Sequence, residues 1–279
     1  MFFLLLAMLS SALTSIMMRV GTAKANYNLG MLAANYCTCF VAAMFFTPSL
    51  AIFPASAALP RTLLLGAVNG VLYLSSFVVF QYNVQKNGVV LSSVFMKLGL
   101  LVPMALSILW FGDTPTLLHW IGFSLAIGAI LLINLKKTEE KSGSNFGFLL
   151  LLLLLGGGAN AMSKVFEELG TPAHDAQFLV YTFGVAMLLC LGLVFFKKQR
   201  LGVREWLYGF LIGIPNFFSA KFLLAALKEV SAVVAYPTYN VGTILVVSLV
   251  GVVAFRERLG KLQWLAVGII IGALVLLNL

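Results

Sequence analysis

Long apolar runs separated by short polar stretches are the dominant pattern along this chain. Most runs contain about 20 residues, the length that an α-helix needs to cross a hydrocarbon core about 30 Å thick. A segment in lipid must satisfy its backbone hydrogen bonds internally, so each run is predicted to be a transmembrane helix. Ten spans are predicted, at residues 2–19, 29–47, 61–83, 88–111, 117–135, 147–166, 175–196, 205–227, 231–255 and 261–278.

The second half of the chain repeats the first. Residues 111–135 read FGDTPTLLHWIGFSLAIGAILLINL, and residues 255–279 read FRERLGKLQWLAVGIIIGALVLLNL. At one constant offset the two segments share aligned aromatic residues, a glycine and a closing Asn-Leu pair, and Asp113 aligns with Glu257. The predicted organisation has three parts, a first five-helix repeat at 1–135, a charged linker at 136–145 and a second five-helix repeat at 146–279.

Five spans are an odd number, so the second repeat must enter the membrane in the opposite direction to the first. The predicted fold class is therefore all-α integral membrane, with ten transmembrane helices as two inverted five-helix repeats. Inverted repeats recur in secondary transporters, where the substrate binds near the midplane between the repeats. The alternative is a duplicated membrane scaffold. A duplicated chain needs no second subunit to complete a cavity, so a monomer is sufficient and a dimer stays open.

Composition supports a membrane location. The chain is 61% hydrophobic and 10% charged, whereas soluble domains have about 45–50% apolar and about 25% charged residues. This excludes a soluble enzyme, a nucleic-acid binder and a secreted disulfide scaffold. The expected partners are a lipid bilayer and a small-molecule substrate, with no nucleic acid, and the expected location is a bacterial inner membrane. Most of the lysines and arginines fall in the loops of one side, which predicts that both termini lie outside.

The ionisable residues narrow the chemistry. The nine carboxylates fall in loops or in the last turn of a span. This removes the simplest proton–cation exchange, in which a buried acid alternately holds a proton and a cation. No cluster of His, Cys, Asp or Glu has metal-ligand spacing, and no nucleophile–base pair lies in a span. The sequence therefore predicts no metal, no cofactor and no enzymatic activity.

Two lysines lie within predicted spans. Lys97 is near the centre of the fourth span, and Lys221 is about two-thirds of the way along the eighth. An ammonium at the bilayer centre costs on the order of 3 kcal/mol unless it faces water or a partner. We predict that one or both line an aqueous cavity and bind an anionic group of the substrate. The alternatives are that Lys221 extends to the interface and that Lys97 only caps backbone carbonyls.

Polar residues form stripes at helical spacing on spans 1, 3, 4, 6, 8 and 9, which are equivalent helices of the two halves. The alternative role for such stripes is hydrogen bonding between helices. Besides the two lysines, the predicted substrate-binding residues are polar side chains of these stripes, namely Ser11, Ser15, Tyr73, Ser93, Asn160, Asn216, Tyr236, Tyr239 and Asn240.

The two span-end segments quoted above resemble the LGERLTLLQWIGAALILAGVLLL pattern of the drug/metabolite transporter superfamily, in its ten-helix EamA-type branch. The resemblance covers nearly the whole chain, and Arg19 and Lys164 fall where members often have a basic residue closing helices 1 and 6. It implies a central cavity lined by helices 1, 3, 4, 6, 8 and 9. It also implies cytoplasmic termini, opposite to the charge count. Lys97 within SSVFMKLGLLVP is similar to the helix-4 lysine of nucleotide-sugar and sugar-phosphate translocators.

We therefore expect a secondary transporter that moves a small organic anion or zwitterion, such as an amino acid or related metabolite, by alternating access. In this hypothesis Lys97 neutralises a carboxylate or phosphate and Lys221 assists. Hydrogen bonds to the substrate are expected from four side chains, Tyr73, Asn216, Tyr236 and Asn240. The alternatives are a flippase or translocator of a phosphorylated or lipid-linked sugar and, from another class, a non-transporting membrane scaffold.

Overall fold

A computed structural model of the chain describes residues 1–48, 51–87, 89–135, 146–254 and 261–277, and these form α-helices and connecting turns without a β-strand. The helices are α1 (Phe2–Lys24), α2 (Asn28–Phe45), α3 (Leu59–Asn87), α4 (Val89–Leu98), α5 (Leu101–Trp110), α6 (Leu117–Leu135), α7 (Phe146–Leu169), α8 (Asp175–Phe196), α9 (Val203–Leu227), α10 (Ala232–Val253) and α11 (Lys261–Leu277). A 3₁₀ turn, Pro172–His174, precedes α8.

The ten predicted spans agree with these helices to within a few residues. Within the described ranges, seven helices are long and apolar enough to cross a membrane: α1, α2, α3, α7, α8, α9 and α10. The remaining apolar helices, α6, α11 and the α4–α5 pair, are shorter. The all-α, ten-span architecture is therefore confirmed, with the fourth span formed by two helices instead of one.

Pro103 explains why the fourth span is divided. A proline has no N–H, and its ring clashes with the carbonyl group four residues earlier, which here belongs to Gly99. The Gly99 carbonyl instead accepts a hydrogen bond from the Val102 N–H at 3.1 Å, and the Leu100 N–H donates to the Lys97 carbonyl at 3.3 Å. Bonds over three residues tighten the chain locally, so the break falls between α4 and α5.

Two glycines of α7 allow this break to lie close to the α7 backbone. A Cβ atom placed on Gly157 would lie 2.3 Å from the Gly99 carbonyl oxygen, and one on Gly156 would lie 2.9 Å from the Met96 sulfur. Both distances are too short for a larger residue without movement of the neighbour. The run of glycines in the sixth predicted span therefore serves close packing.

The described chain divides into two compact units. The first contains Met1–Leu74 and Val165–Lys228, and the second contains Ser75–Lys164 and Glu229–Leu279. Each unit takes segments from both halves of the sequence, and α3 and α7 contribute to both units. The repeat boundaries at 135 and 146 stay a prediction, and the linker 136–145 lies outside the described residues.

In the first unit, α9 packs against α1 and α2, and α2 also packs against α8. Small residues permit this close approach, as is usual between helices in membranes. A Cβ atom on Gly213 would lie 2.5 Å from the Thr38 Cβ and 2.8 Å from the Asn35 carbonyl oxygen. Gly209 lies equally close to Ala34. The contact between α2 and α9 therefore depends on glycines in α9.

In the second unit, α6 packs along α11, and α10 contacts both of these helices as well as α5. The shared core is aliphatic with one aromatic ring. Its buried members are Leu100, Met104, Phe123, Ala126, Ala129, Ile130, Val241, Ile270, Ala273 and Leu277.

Replacing Gly213 with alanine tests the close packing of α2 on α9. We expect Gly213→Ala to lower the free energy of unfolding by about 1–3 kcal/mol, because the added methyl group overpacks the contact with Thr38. Unfolding is measured by titration with SDS in mixed micelles. The matched control is Gly192→Ala in α8, where no atom lies within 4 Å of the new Cβ. Equal stability of the two variants would contradict this account of the contact.

Candidate functional site

The predicted substrate-binding residues fall in both compact units. The first unit contains Ser11, Ser15, Tyr73, Asn216 and Lys221. The second contains Ser93, Lys97, Asn160, Tyr236, Tyr239 and Asn240. Ser93 belongs to α4, but its side chain lies outside the described part of the structure.

In the second unit, three of the predicted residues form one hydrogen-bonded group between α7 and α10. Tyr236 is fully buried, and its hydroxyl donates to the carbonyl oxygen of Asn160 at 2.8 Å. The Asn240 side-chain amide donates to the Tyr236 carbonyl at 3.0 Å. Pro237 lies inside α10 directly after this tyrosine. The group therefore joins the two helices next to a position where the α10 backbone lacks one N–H donor.

Tyr239 is only partly buried, unlike Tyr236. Its carbonyl oxygen accepts a hydrogen bond from the Thr243 hydroxyl at 2.6 Å, one turn further along α10. The sequence predicts the same role for both tyrosines, but the structure gives them different burial. The Tyr236 ring is packed in the core of the unit, while part of Tyr239 remains accessible.

Lys97 is the penultimate residue of α4 and lies two residues before the break at Gly99. Its side chain is half-buried. Among the residues that the structure describes, no carboxylate forms an ion pair with its ammonium. An ammonium at membrane depth is stable only when it faces water, a polar partner or a ligand. Lys97 is therefore a positive charge that an anionic group could neutralise.

In the first unit, Asn216 forms a hydrogen bond between helices. Its side-chain amide donates to the Asn35 side-chain oxygen of α2 at 3.3 Å. Asn35 is buried, and the thiol of Cys39, one turn later, donates to the Gly213 carbonyl at 3.2 Å. Asn35 is not among the residues predicted from the sequence, although an asparagine in an apolar span is a signal for such a partner. These contacts stabilise the α2–α9 pair.

The other first-unit candidates, Ser11, Ser15 and Tyr73, have contacts within this unit. The Ser15 hydroxyl donates to the Ser11 carbonyl of the same helix at 3.0 Å. Tyr73 packs edge-on against the Phe183 ring, with 6.0 Å between the centroids. Lys221 lines a pocket formed by the end of α2, the start of α8 and the later part of α9, and Ser11, Ser15 and Tyr73 do not line it. The structure therefore does not bring them together with this lysine in the first unit.

Lys221 lines a pocket of about 280 Å³ formed by the end of α2, the start of α8 and the later part of α9. Its ammonium nitrogen lies 3.8 Å from the ring centroid of Phe46 and 5.8 Å from that of Phe217. Both distances are within the range of a cation–π interaction. Lys221 is thus held by aromatic faces at a pocket wall.

Glu205 is a buried acid whose environment the sequence did not reveal. It lies in the first turn of α9, not in a loop or a last turn, and is 1% exposed. Its Oε1 accepts hydrogen bonds from the backbone N–H groups of Asn26 at 2.8 Å and Tyr27 at 3.1 Å, and its Oε2 accepts from Gly202 at 3.0 Å. The carboxylate therefore caps the start of α9 and fixes the α1–α2 loop.

Asp113, the acid of the first repeated motif, has a comparable structural role in the second unit. It accepts hydrogen bonds from the hydroxyl of Ser107 in α5 and, at 3.1 Å, from the hydroxyl of Ser231. Ser231 is the N-cap residue of α10, and its side-chain oxygen accepts from the Val233 N–H at 3.3 Å. The motif acid thus links the end of α5 to the start of α10. Glu257, its aligned counterpart, lies outside the described residues.

Comparison with known proteins agrees with the fold that the sequence predicts. The EamA-like transporter family matches residues 1–135 and 144–279. An uncharacterized protein of Haemophilus influenzae is 25% identical over 202 residues, which cover 71% of this chain and 69% of that protein. The crystal structure of a further protein, 13% identical, has a TM-score of 0.74 and covers 99% of this chain and 98% of its own. The family match in each half confirms the expected fold class of two inverted five-helix repeats.

The link between Asp113 and Ser231 is testable by a double-mutant cycle. We expect Asp113→Ala and Ser231→Ala each to lower the free energy of unfolding, with a coupling energy of about 0.5–3 kcal/mol because the two side chains share one hydrogen bond. SDS titration supplies the four free energies. A second cycle pairs Asp113→Ala with Ser124→Ala, whose hydroxyl donates within α6. Coupling that is no larger in the first cycle than in the second would contradict the link.

Proposed function

This chain belongs to the EamA-like transporter family, within the drug/metabolite transporter superfamily, and from that premise we propose that it moves a small organic anion or zwitterion by alternating access. Family members are membrane transporters, not enzymes, so the chain is an integral multi-pass membrane protein with a small-molecule substrate. Its place in a bacterial inner membrane and the side on which its termini lie stay predictions.

The observation that carries the proposal is the environment of Lys97. Lys97 lies beside the break of the fourth span, and among the described residues its ammonium has no carboxylate partner. A positive charge held at membrane depth selects for a negative group on the substrate, because neutralising it also removes the cost of its burial. A carboxylate or a phosphate has the required charge. The same feature disfavours a purely cationic substrate.

The break in the fourth span supports alternating access. In the fourth span, the break at Gly99 follows from Pro103 and leaves α4 and α5 as separate helices. Discontinuous helices of this kind recur at transporter binding sites, where they expose backbone groups and permit one segment to move against the other. Gly156 and Gly157 of α7 lie against this break. Their lack of side chains allows the close contact to change without a steric barrier.

The polar group around Tyr236 supplies further substrate contacts in this proposal. Its hydroxyl holds the Asn160 carbonyl, and Asn240 lies one turn along the same helix. In the proposed cycle the tyrosine hydroxyl exchanges the Asn160 carbonyl for an oxygen of the substrate, which couples binding to a shift between α7 and α10. The roles predicted for Ser11, Ser15, Tyr73, Asn216 and Lys221 stay predictions.

Replacing Lys97 with methionine tests the proposed charge pair. Methionine keeps an unbranched side chain but removes the ammonium, so we expect counterflow of an anionic or zwitterionic substrate to fall by about tenfold or more. The measurement is counterflow in proteoliposomes, with glutamate, leucine and cadaverine as anionic, zwitterionic and cationic probes. Counterflow of glutamate or leucine by the wild type, and its loss in Lys97→Met, is the expected result.

The control for this measurement is Lys24→Met, which removes an exposed lysine at the end of α1. It should transport like the wild type. Undiminished counterflow by Lys97→Met, or counterflow of cadaverine alone, would refute the anionic-group assignment. An absence of counterflow for all three probes in the wild type would count against transport of these classes and in favour of the scaffold alternative.

Replacing Pro103 with alanine tests the role of the break. Alanine restores the missing N–H, so α4 and α5 are expected to join into a continuous helix. We expect the transport rate to fall while the Kd for the transported probe changes little, since the substitution adds no charge and removes none. Counterflow gives the rate and equilibrium binding gives the Kd. An unchanged rate would show that the break is not needed for the conformational cycle.

A further inference from the structure

The pocket beside Lys221 in the first unit has features that the role proposed for Lys97 does not use. It has a volume of about 280 Å³ and lies where α2 ends, α8 begins and α9 approaches its end. Most of its wall is aliphatic, including Ala43, Pro172, Leu179 and Leu224. Two charged side chains of opposite sign, Lys221 and Asp175, also line it. An apolar pocket with a few polar groups is typical of a small-molecule site.

The positive group of the pocket is fixed by aromatic rings. The Lys221 ammonium lies over the Phe46 ring at 3.8 Å, with Phe217 at 5.8 Å. An aromatic face attracts the positive charge but offers no oxygen lone pair to its three N–H donors. Among the described residues, no oxygen accepts a hydrogen bond from this ammonium. Its donors are therefore available to an anionic group that enters the pocket.

The negative group of the pocket is only half satisfied. One oxygen of Asp175, Oδ2, forms an ion pair with Lys228. The other, Oδ1, is buried, and no described residue donates a hydrogen bond to it. Buried polar atoms normally have a partner. Because Asp175 lines the pocket, an ammonium group of a ligand there would be attracted to this carboxylate.

We propose that this pocket binds a small zwitterion, whose anionic group contacts Lys221 and whose ammonium group donates to Asp175. The aliphatic wall accommodates an apolar body, and the volume limits the ligand to a few heavy atoms beyond the two charged groups. Two sources carry this chemistry, a free amino acid and the headgroup of phosphatidylethanolamine. The proposal does not depend on Lys97 or on the transport mechanism, because the pocket belongs entirely to the first unit.

The experiment is calorimetric titration of the purified full-length protein in detergent with leucine and, separately, with glycerophosphoethanolamine. We expect at least one of the two to bind saturably. Leucine methyl ester lacks the anion and 4-methylpentanoate lacks the ammonium, and each should bind about tenfold more weakly than leucine if leucine is the ligand. Tighter binding of glycerophosphoethanolamine than of leucine identifies the lipid headgroup as the source, and the reverse identifies a soluble amino acid.

Variants assign the binding to this pocket. Lys221→Met and Asp175→Asn should each raise the Kd of the bound probe by about tenfold or more. The matched control is Lys228→Met, which breaks the exposed ion pair to Asp175 but removes no residue of the pocket wall; its Kd should stay within about threefold of the wild-type value. Ala225→Leu fills the pocket without changing its charges and should also abolish binding. Monodisperse elution and an unchanged thermal unfolding temperature confirm that each variant is folded.

Three results would overturn the proposal. The first is the absence of saturable binding of either probe to the wild type. The second is binding that persists in folded Lys221→Met or Ala225→Leu. The third is binding that Lys97→Met abolishes and Lys221→Met does not, which would place the ligand elsewhere. If Lys97→Met loses counterflow but retains calorimetric binding, both the transport proposal and the pocket proposal are supported. Failure of one proposal therefore does not imply failure of the other.

Discussion

The requirement that every backbone hydrogen bond be satisfied inside the lipid core is the constraint on which this structure depends. It makes each apolar run a helix, since a helix is the one segment that satisfies its own N–H and carbonyl groups. It also gives meaning to the exceptions. At Pro103 the chain loses one such bond, and the fourth span divides into α4 and α5 beside Lys97. A break in the helical hydrogen bonding therefore lies next to one of the two lysines within the spans.

The lipid environment also determines how these helices pack against one another. Lipid tails are as apolar as leucine side chains, so helices gain little from burying apolar surface against one another. Close backbone approach and a few hydrogen bonds have to supply the specificity. Gly213 provides the close approach between α2 and α9, and the Asn35–Asn216 pair provides a hydrogen bond at the same interface. In the second unit, the Tyr236 hydroxyl links α10 to α7 in a similar way.

In the described part of the chain, some carboxylates and some ammonium groups occupy different positions along the helices. The carboxylates of Glu205, Asp113 and Asp175 lie at helix ends, where they accept hydrogen bonds from backbone or hydroxyl donors or pair with a lysine. Two ammonium groups, those of Lys97 and Lys221, in contrast lie within spans. Carboxylates at helix ends stabilise turns and starts of helices, whereas a lysine within a span has to find its partner elsewhere. This asymmetry is the physical basis for expecting ligands that carry a negative group.

The sequence by itself determined the spans, the repeats and the family, because hydropathy and a repeated motif are properties of consecutive residues. Tertiary structure decided what each polar side chain contacts: Asn216 pairs with Asn35, Lys221 lies over Phe46, and Asp113 joins α5 to the cap of α10. These contacts depend on the rotation of each helix about its axis and on partners far away in the chain, which periodicity does not encode. The break at Pro103 depends on both. The proline is visible in the sequence, but the division of the fourth span into α4 and α5 is seen only in the backbone hydrogen bonds.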